Sequence, residues 1–280
     1  DKFMKEFKVG LQLYSIREDM EKDMDEALRQ VKEMGYDYVE FAGFYGKSAS
    51  EVKALLDKHG LIAISAHQGF DPYFEKGQPA IDELKEIGVK YCAIPWYDVN
   101  KLKGTDGWDE TVEKFTEYGK ALKASGIQMM YHNHDFEFRK YEGKFLLDWI
   151  YDTIPQDLIM PQIDTCWVHY AGYNPSEYIE KYAGRMKVLH LKDFVCKKLG
   201  GGPVYALIDS DGGDAKQASK EDNGFEFRPV GSGIQDFRAI LESAEKAGID
   251  YVIVEQDGHP ERSAMEDARI SRDYLKKLGI

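Results

Sequence analysis

The residues with most chemical potential are imidazoles and carboxylates set at the ends of short apolar runs. They are His132-Asn133-His134, Asp164, His190 followed by Lys192-Asp193, and Glu255. Glu40, His67 and Trp96 close three earlier runs in the same way. Mixed carboxylate and imidazole donors suit Mn²⁺, Mg²⁺, Co²⁺, Fe²⁺ or Zn²⁺ at about 2.0–2.2 Å. No thiol stands among them, which disfavours a structural zinc site. Side chains two apart on a strand share a face, so Gln128, Met130, His132 and His134 point together while Tyr131 and Asn133 point away. A single polar residue at a strand end is weak evidence of function; several converging on one rim are stronger.

The elements that must position these groups alternate. Strand-like runs fall at Val9–Leu13, Tyr38–Phe41, Ile62–Ala66, Tyr91–Pro95, Gln128–His134, Ile159–Ile163, Lys187–Leu191 and Tyr251–Glu255. Amphipathic helical patterns separate them, among them Asp23–Met34, Glu51–His59, Trp108–Ser125, Gln235–Ala247 and Ala264–Leu278. Several end in the glycine that permits a left-handed turn, as in Met34-Gly35, His59-Gly60, Ile87-Gly88, Ser125-Gly126 and Ala247-Gly248. This rhythm predicts an α/β fold: one (β/α)8 TIM barrel spanning residues 1–280 as a single domain. The competing doubly wound sheet expects a glycine-rich phosphate loop after the first strand, where Tyr14-Ser15-Ile16-Arg17 stands instead. A barrel carries function at the C-terminal ends of its strands, which is where the polar groups lie. An extended loop after the seventh strand, residues 195–225, departs from a minimal barrel. It contains Gly200-Gly201-Gly202-Pro203 and Asp211-Gly212-Gly213-Asp214 and is expected to be a surface excursion, a lid or a partner contact.

Composition narrows the partners. In 280 residues, 50 Asp and Glu outnumber 37 Lys and Arg for a formal charge of −13, which disfavours nucleic acid, whose phosphates need clustered cations. The hydrophobic share of 43% suffices for a packed core. No apolar run approaches the roughly 18 residues of a membrane span. Asp1 to Val9 are charged and show no signal-peptide core; Met4 resembles an initiator, which would make residues 1–3 a scar of a cleaved tag. Cys92, Cys166 and Cys196 are odd in number and form no CxxC pair, so no disulfide framework is expected and the cytoplasm is the expected compartment.

Seven segments together resemble the xylose-isomerase-like barrel superfamily of sugar phosphate isomerases and epimerases. They are Val9-Gly10-Leu11-Gln12-Leu13-Tyr14-Ser15, Tyr38-Val39-Glu40-Phe41, Tyr131-His132-Asn133-His134-Asp135-Phe136-Glu137-Phe138, Ile163-Asp164-Thr165, His190-Leu191-Lys192-Asp193, Val230-Gly231-Ser232-Gly233 and Val254-Glu255. The resemblance runs from near the first strand to the last; it is specific for fold and site location and weak for substrate. It implies one divalent metal ion held by Glu, Asp, His and Glu from strands five to eight, with Mn²⁺ foremost. Asp164, His190 and Glu255 match the last three positions, whereas strand five offers His132, with His134 two residues on, in place of glutamate. Epimerases of the superfamily use the two ligand glutamates as acid and base on opposite faces of the substrate, so this departure bears on the chemistry.

A metal that chelates a sugar carbonyl and its neighbouring oxygen acidifies the α C–H and stabilises an enediolate. The expected activity is therefore that of a metal-dependent sugar isomerase or epimerase, with a lyase or dehydratase acting on a 3-keto-glycoside or inosose as the alternative that shares the first step. His134 is the preferred acid–base group, since imidazole titrates near neutral pH. Glu255 is a second candidate while also binding metal, and Lys192 would polarise a carbonyl or else pair with Asp193 or Glu226. Glu137 would orient a histidine or bind a hydroxyl, and Glu40 and His67 would contact substrate. Among aromatics near strand ends, Tyr14, Phe44, Phe70, Trp96 and Trp167 would stack on sugar faces. No Arg/Lys anion cluster marks the later strand ends, which favours an unphosphorylated keto-sugar or polyol. A non-catalytic sugar-binding barrel, or a subunit of a homodimer or hetero-complex, is the reading from another class.

Overall fold

In the computed structural model, residues 5–200, 220 and 222–280 are described. Eight parallel strands form the barrel: β1 Lys8–Gln12, β2 Tyr38–Ala42, β3 Ile62–His67, β4 Tyr91–Ile94, β5 Gln128–His132, β6 Met160–Gln162, β7 Val188–Leu191 and β8 Tyr251–Val254. Each pairs with its neighbour in parallel from β6 back through β5 to β1, and onward through β8 to β7. The remaining seam, between β6 and β7, is spanned by a single parallel bridge from Asp164 to His190. There the His190 N–H donates to the Ile163 carbonyl (3.0 Å), and the Thr165 hydroxyl donates to the His190 carbonyl (2.9 Å). The barrel is thus stitched shut by residues whose side chains belong to the polar cluster.

Two local signals illustrate how the helices between strands are set. Ser48 and Glu51 form a reciprocal capping box at the start of Ala49–His59, and Gly60 ends that helix in the left-handed region at φ 68°. Several elements lie outside the sequence expectations. A 3₁₀ turn at Leu13–Ile16 and a helix at Arg17–Lys22 follow β1, and a helix at Thr165–Tyr170 begins directly after Asp164. Val195 and Phe225, expected to bound a loop, lie in or beside a two-stranded ladder in which Asp193–Val195 runs antiparallel to Glu226–Arg228. The interior of the expected 195–225 loop, residues 201–219 and 221, lies outside the described residues.

Inside the barrel the period-two alternation stacks side chains in layers. Ile64, Ala93, Met130, Val188 and Ile253 fill the middle, with Tyr38, Tyr91, Met160 and Tyr251 packed against them. Gly10 completes this layer because a Cβ there would press on the Ile253 side chain and the Tyr38 carbonyl. Above it the interior turns polar: Gln12, Glu40, His132, Gln162 and His190 are all buried. Among the described residues no helix is long and apolar enough to cross a membrane.

The Lys192-Asp193 and Val230-Gly231-Ser232-Gly233 segments meet here. The Asp193 carboxylate accepts the backbone N–H groups of Phe194, Gly231, Gly233 and Gln235 at 2.8–3.2 Å. A Cβ on Gly233 would overlap that carboxylate and the Phe194 carbonyl. Gly233→Ala should therefore destabilise the protein by about 1–3 kcal/mol, as overpacking does; urea unfolding that matched the wild type would refute this packing role.

Candidate metal site

The four candidate ligands come from the ends of four consecutive strands. His132 closes β5, Asp164 follows β6, His190 lies in β7 and Glu255 follows β8. Each is nearly or fully buried. The facing atoms are His132 Nε2, Asp164 Oδ2, His190 Nδ1 and Glu255 Oε1. His132 Nε2 lies 2.9 Å from Asp164 and 3.9 Å from Glu255; His190 Nδ1 lies 4.0 Å from Asp164 and 3.5 Å from Glu255. Four ligands at about 2.1 Å from one ion in tetrahedral array stand about 3.4 Å apart. The observed separations bracket that value. His190 Nδ1 is also buried with no hydrogen-bond partner, as suits a nitrogen reserved for a metal. The residues fit a divalent cation.

Around this set the chain fixes orientation. Asp164 turns Oδ1 to the backbone N–H groups of Cys166 (3.0 Å) and Trp167 (3.4 Å), capping its helix and leaving Oδ2 for the cluster. The Asp164 N–H itself donates to Asn133 Oδ1 (2.9 Å). Tyr131 donates its hydroxyl to Glu137 (2.5 Å), and Glu137 accepts the His134 backbone N–H (2.8 Å). The outward residues of β5 therefore brace the inward ones.

Below the ligands, Glu40 is a buried hub. Its Oε1 accepts from Gln12 Nε2 (2.9 Å) and His190 Nε2 (2.6 Å) and lies 2.9 Å from His67 Nε2; its Oε2 accepts from Gln162 Nε2 (2.7 Å). Burial opposes ionisation, but His67 and His190 outweigh it and hold Glu40 well below the usual carboxylate range. The His190 imidazole, although buried, is pushed up to about 10 by Glu40 and Glu255. For His132 burial prevails and takes the ring down to about 4. A metal held by this set would have to displace ligand protons.

Lys192 stands inside the cluster. Its ammonium lies 2.8 Å from Asp164 Oδ2, 2.6 Å from Glu255 Oε1 and 3.2 Å from Asp257 Oδ2, and the residue is 1% exposed. Burial disfavours its charge, but the three carboxylates hold it well above the usual lysine value. The same cation, with His190, keeps Glu255 well below the usual carboxylate range against the cost of burial.

A cavity of about 230 Å³ opens over these groups, lined by Tyr14, Ala42, His67, Pro95, His132, His134, Lys192, Glu255 and Asp257. His134 lies in its wall, stacked between Phe136 and Trp167 at ring distances of 5.4 and 5.8 Å.

Placement departs from the sequence expectations in several ways. Glu40 does not reach the cavity, because it sits one layer lower and spends both oxygens on barrel side chains. Glu137 is fully enclosed and orients the His134 backbone. Trp167, stacked on Phe225 as well as His134, forms a side wall, while Trp96 is 56% exposed and stands edge-on to Phe136 outside the cavity lining. Phe70 packs in the core against Tyr97, Phe115 and Tyr118. Lys192 pairs with neither Asp193 nor Glu226. Sequence reasoning missed Gln12, Gln162 and Asp257; the period-two spacing of Asp257 from Glu255 was the available signal for the last.

Fold and site together define a (β/α)8 barrel with a cluster of two imidazoles and two carboxylates, suited to a metal ion, at its C-terminal mouth. The chain belongs to the xylose isomerase-like TIM barrel family, whose model matches residues 28–278. Among curated proteins it is similar to an inosose dehydratase of Clostridium beijerinckii, 23% identical over 282 residues and covering 92% of this chain and 90% of that protein. Among solved structures it is similar to a sugar phosphate isomerase/epimerase from Parabacteroides distasonis, with TM-score 0.74, 23% identity and coverage of 98% and 95%. It is also similar to the IOLI protein with a bound zinc atom, with TM-score 0.67, 16% identity and 97% coverage of each chain.

Proposed function

We propose that the protein is a divalent-metal-dependent lyase that removes water from a keto-polyol of the inosose type. The observation that carries this reading is His132 at the end of β5, where two-carboxylate epimerisation requires a glutamate. Glu255 then has no glutamate on β5 to complete an acid–base pair. The dehydratase name of the Clostridium beijerinckii relative supports the same choice. The cavity of about 230 Å³ falls below the roughly 300–1,000 Å³ of drug-sized sites, which favours a single ring over a disaccharide.

His132, Asp164, His190 and Glu255 would hold the ion. Mn²⁺, which accepts both carboxylate oxygen and imidazole nitrogen, is the proposed one. When bound it supplies a Lewis acid beside the substrate carbonyl. His134 takes the proton from the carbon next to the carbonyl. The C–H electrons form the C=C bond as the bond from the next carbon to its hydroxyl breaks. The imidazolium so formed returns its proton to the departing hydroxyl, giving water and an enol that tautomerises to a diketone. One imidazole thus serves both steps on one face of the ring. Phe136 and Trp167 hold that ring in place, and His67 and Tyr14 border the substrate space. With three unpaired thiols, a reducing cytoplasm is the proposed compartment.

The test is to incubate the Mn²⁺-loaded protein with an inosose in D₂O, following water loss by diketone absorbance and α-hydrogen exchange by NMR. His134→Ala should lower turnover by about 10²–10⁴-fold, the usual contribution of a general acid–base group. Exchange with formation of an isomer or epimer and no absorbance would replace the lyase reading with an isomerase one. Absence of both exchange and elimination would favour a binding barrel.

A further inference from the structure

We propose that Lys192 is a displaceable internal cation that competes with the divalent metal for Asp164 and Glu255, and that Asp257 is the berth to which it retreats. The proposal rests on the metal reading of this site. It starts from a coincidence of atoms. The Lys192 ammonium contacts Asp164 Oδ2 and Glu255 Oε1, the same two oxygens that face His132 Nε2 and His190 Nδ1. A divalent ion on those oxygens would sit beside a unit positive charge bonded to the same acceptors, in a buried setting where screening is weak. Both cations cannot hold these carboxylates at full strength.

The structure provides somewhere for the lysine to go. Asp257 Oδ2 is already its third partner at 3.2 Å, and Asp257 Oδ1 is buried with no hydrogen-bond partner. The Asp257 side chain is 28% exposed, nearer the solvent than Asp164 or Glu255, and Arg17 fixes its backbone carbonyl with a bond of 3.0 Å. The rings of Trp167 at 5.2 Å and Phe227 at 5.7 Å flank the ammonium and attract it through their π faces. Charge balances at both ends of the movement. With the metal away, Lys192 neutralises part of the Asp164–Glu255 pair. With the metal bound, the ion neutralises that pair and Lys192 neutralises Asp257. The consequence is a site that keeps its two buried carboxylates paired while stripped of metal, and that binds metal more weakly and more reversibly than its four ligands alone would.

The test uses the full chain, stripped with a chelator and titrated with Mn²⁺ and Zn²⁺ by calorimetry, with melting temperatures measured before and after loading. Lys192→Met should bind metal at least about tenfold more tightly, since a charge this close shifts a carboxylate's proton affinity by about one to three orders of magnitude and opposes a bound metal cation in the same sense. Stripped Lys192→Met should melt below stripped wild type and show the larger rise on loading. Asp257→Asn, which removes the berth, should bind about tenfold more weakly. Should Lys192→Met fail to fold, Lys192→Gln tests the same point. Affinity in the neutral variant equal to or below wild type, with wild-type binding abolished by Asp164→Asn, would overturn the competition and leave the metal site standing. No binding by wild type or by either neutral variant would overturn the metal reading and the competition with it.

Discussion

Asp164→Asn is expected to lower the affinity for Mn²⁺ or Zn²⁺ by more than about 100-fold, beyond the 10–100-fold typical of outer-shell losses, while the barrel stays folded. The two oxygens of Asp164 have separate duties, which is why asparagine is the informative change. Oδ1 caps the helix Thr165–Tyr170, and an amide oxygen can keep both of those bonds. Oδ2 faces His132 Nε2 at 2.9 Å and the Lys192 ammonium at 2.8 Å. An amide nitrogen there offers no lone pair to a metal and meets two donors. Alanine would remove the cap as well, mixing about 1 kcal/mol of lost helix stability into the result. Metal content after dialysis, with circular dichroism as the check on folding, reads the two duties apart. A folded Asp164→Asn that retained metal at the wild-type ratio would remove Asp164 from the ligand set.

The strand-and-helix rhythm, with glycines closing helices, was enough to place a barrel, and period-two spacing correctly set His132 on one face of β5 and Tyr131 and Asn133 on the other. Depth was not legible. Glu40 ends its apolar run just as His132 does, yet β2 continues to Ala42 and meets β3 with a register shift at Val39/Glu40. That geometry leaves its carboxylate under the site instead of in it. Nor can a linear reading find partners across a closed barrel: His190 and Glu40 bond over 150 positions, and Lys192 reaches Asp257 on another strand's extension. The choice of Asp193 as a partner for Lys192 conflicted with alternation, since adjacent strand residues face opposite ways, and Asp193 indeed turns to the glycine loop. Asp257 lies past the end of β8, where periodicity weakens as evidence, so its period-two spacing from Glu255 was the one signal that marked it.

The depth of Glu40 sets the size of the remaining effect. Glu40→Gln should destabilise the protein by about 3–5 kcal/mol, the usual cost of removing one partner from a buried ionic set. It should also weaken metal binding by about 10–100-fold although Glu40 touches no ligand oxygen. Gln12, His190 and Gln162 all donate N–H groups to this carboxylate, and a glutamine can present only one oxygen, so its amide nitrogen must confront a donor. The Gln162 amide, already accepting from His67 at 2.8 Å, can rotate only by abandoning that bond. The metal effect passes through His190: the 2.6 Å bond from Nε2 to Glu40 aims Nδ1 at the ligand cluster, and a slack imidazole is a poorer ligand. Glu40→Asp, which keeps the charge on a shorter stem, should recover part of the metal affinity if this orientation is the cause. Urea unfolding of the stripped protein and metal titration of the folded variants measure the two effects separately. A Glu40→Gln protein with wild-type midpoint and wild-type affinity would show that the hub neither braces the barrel nor aims His190.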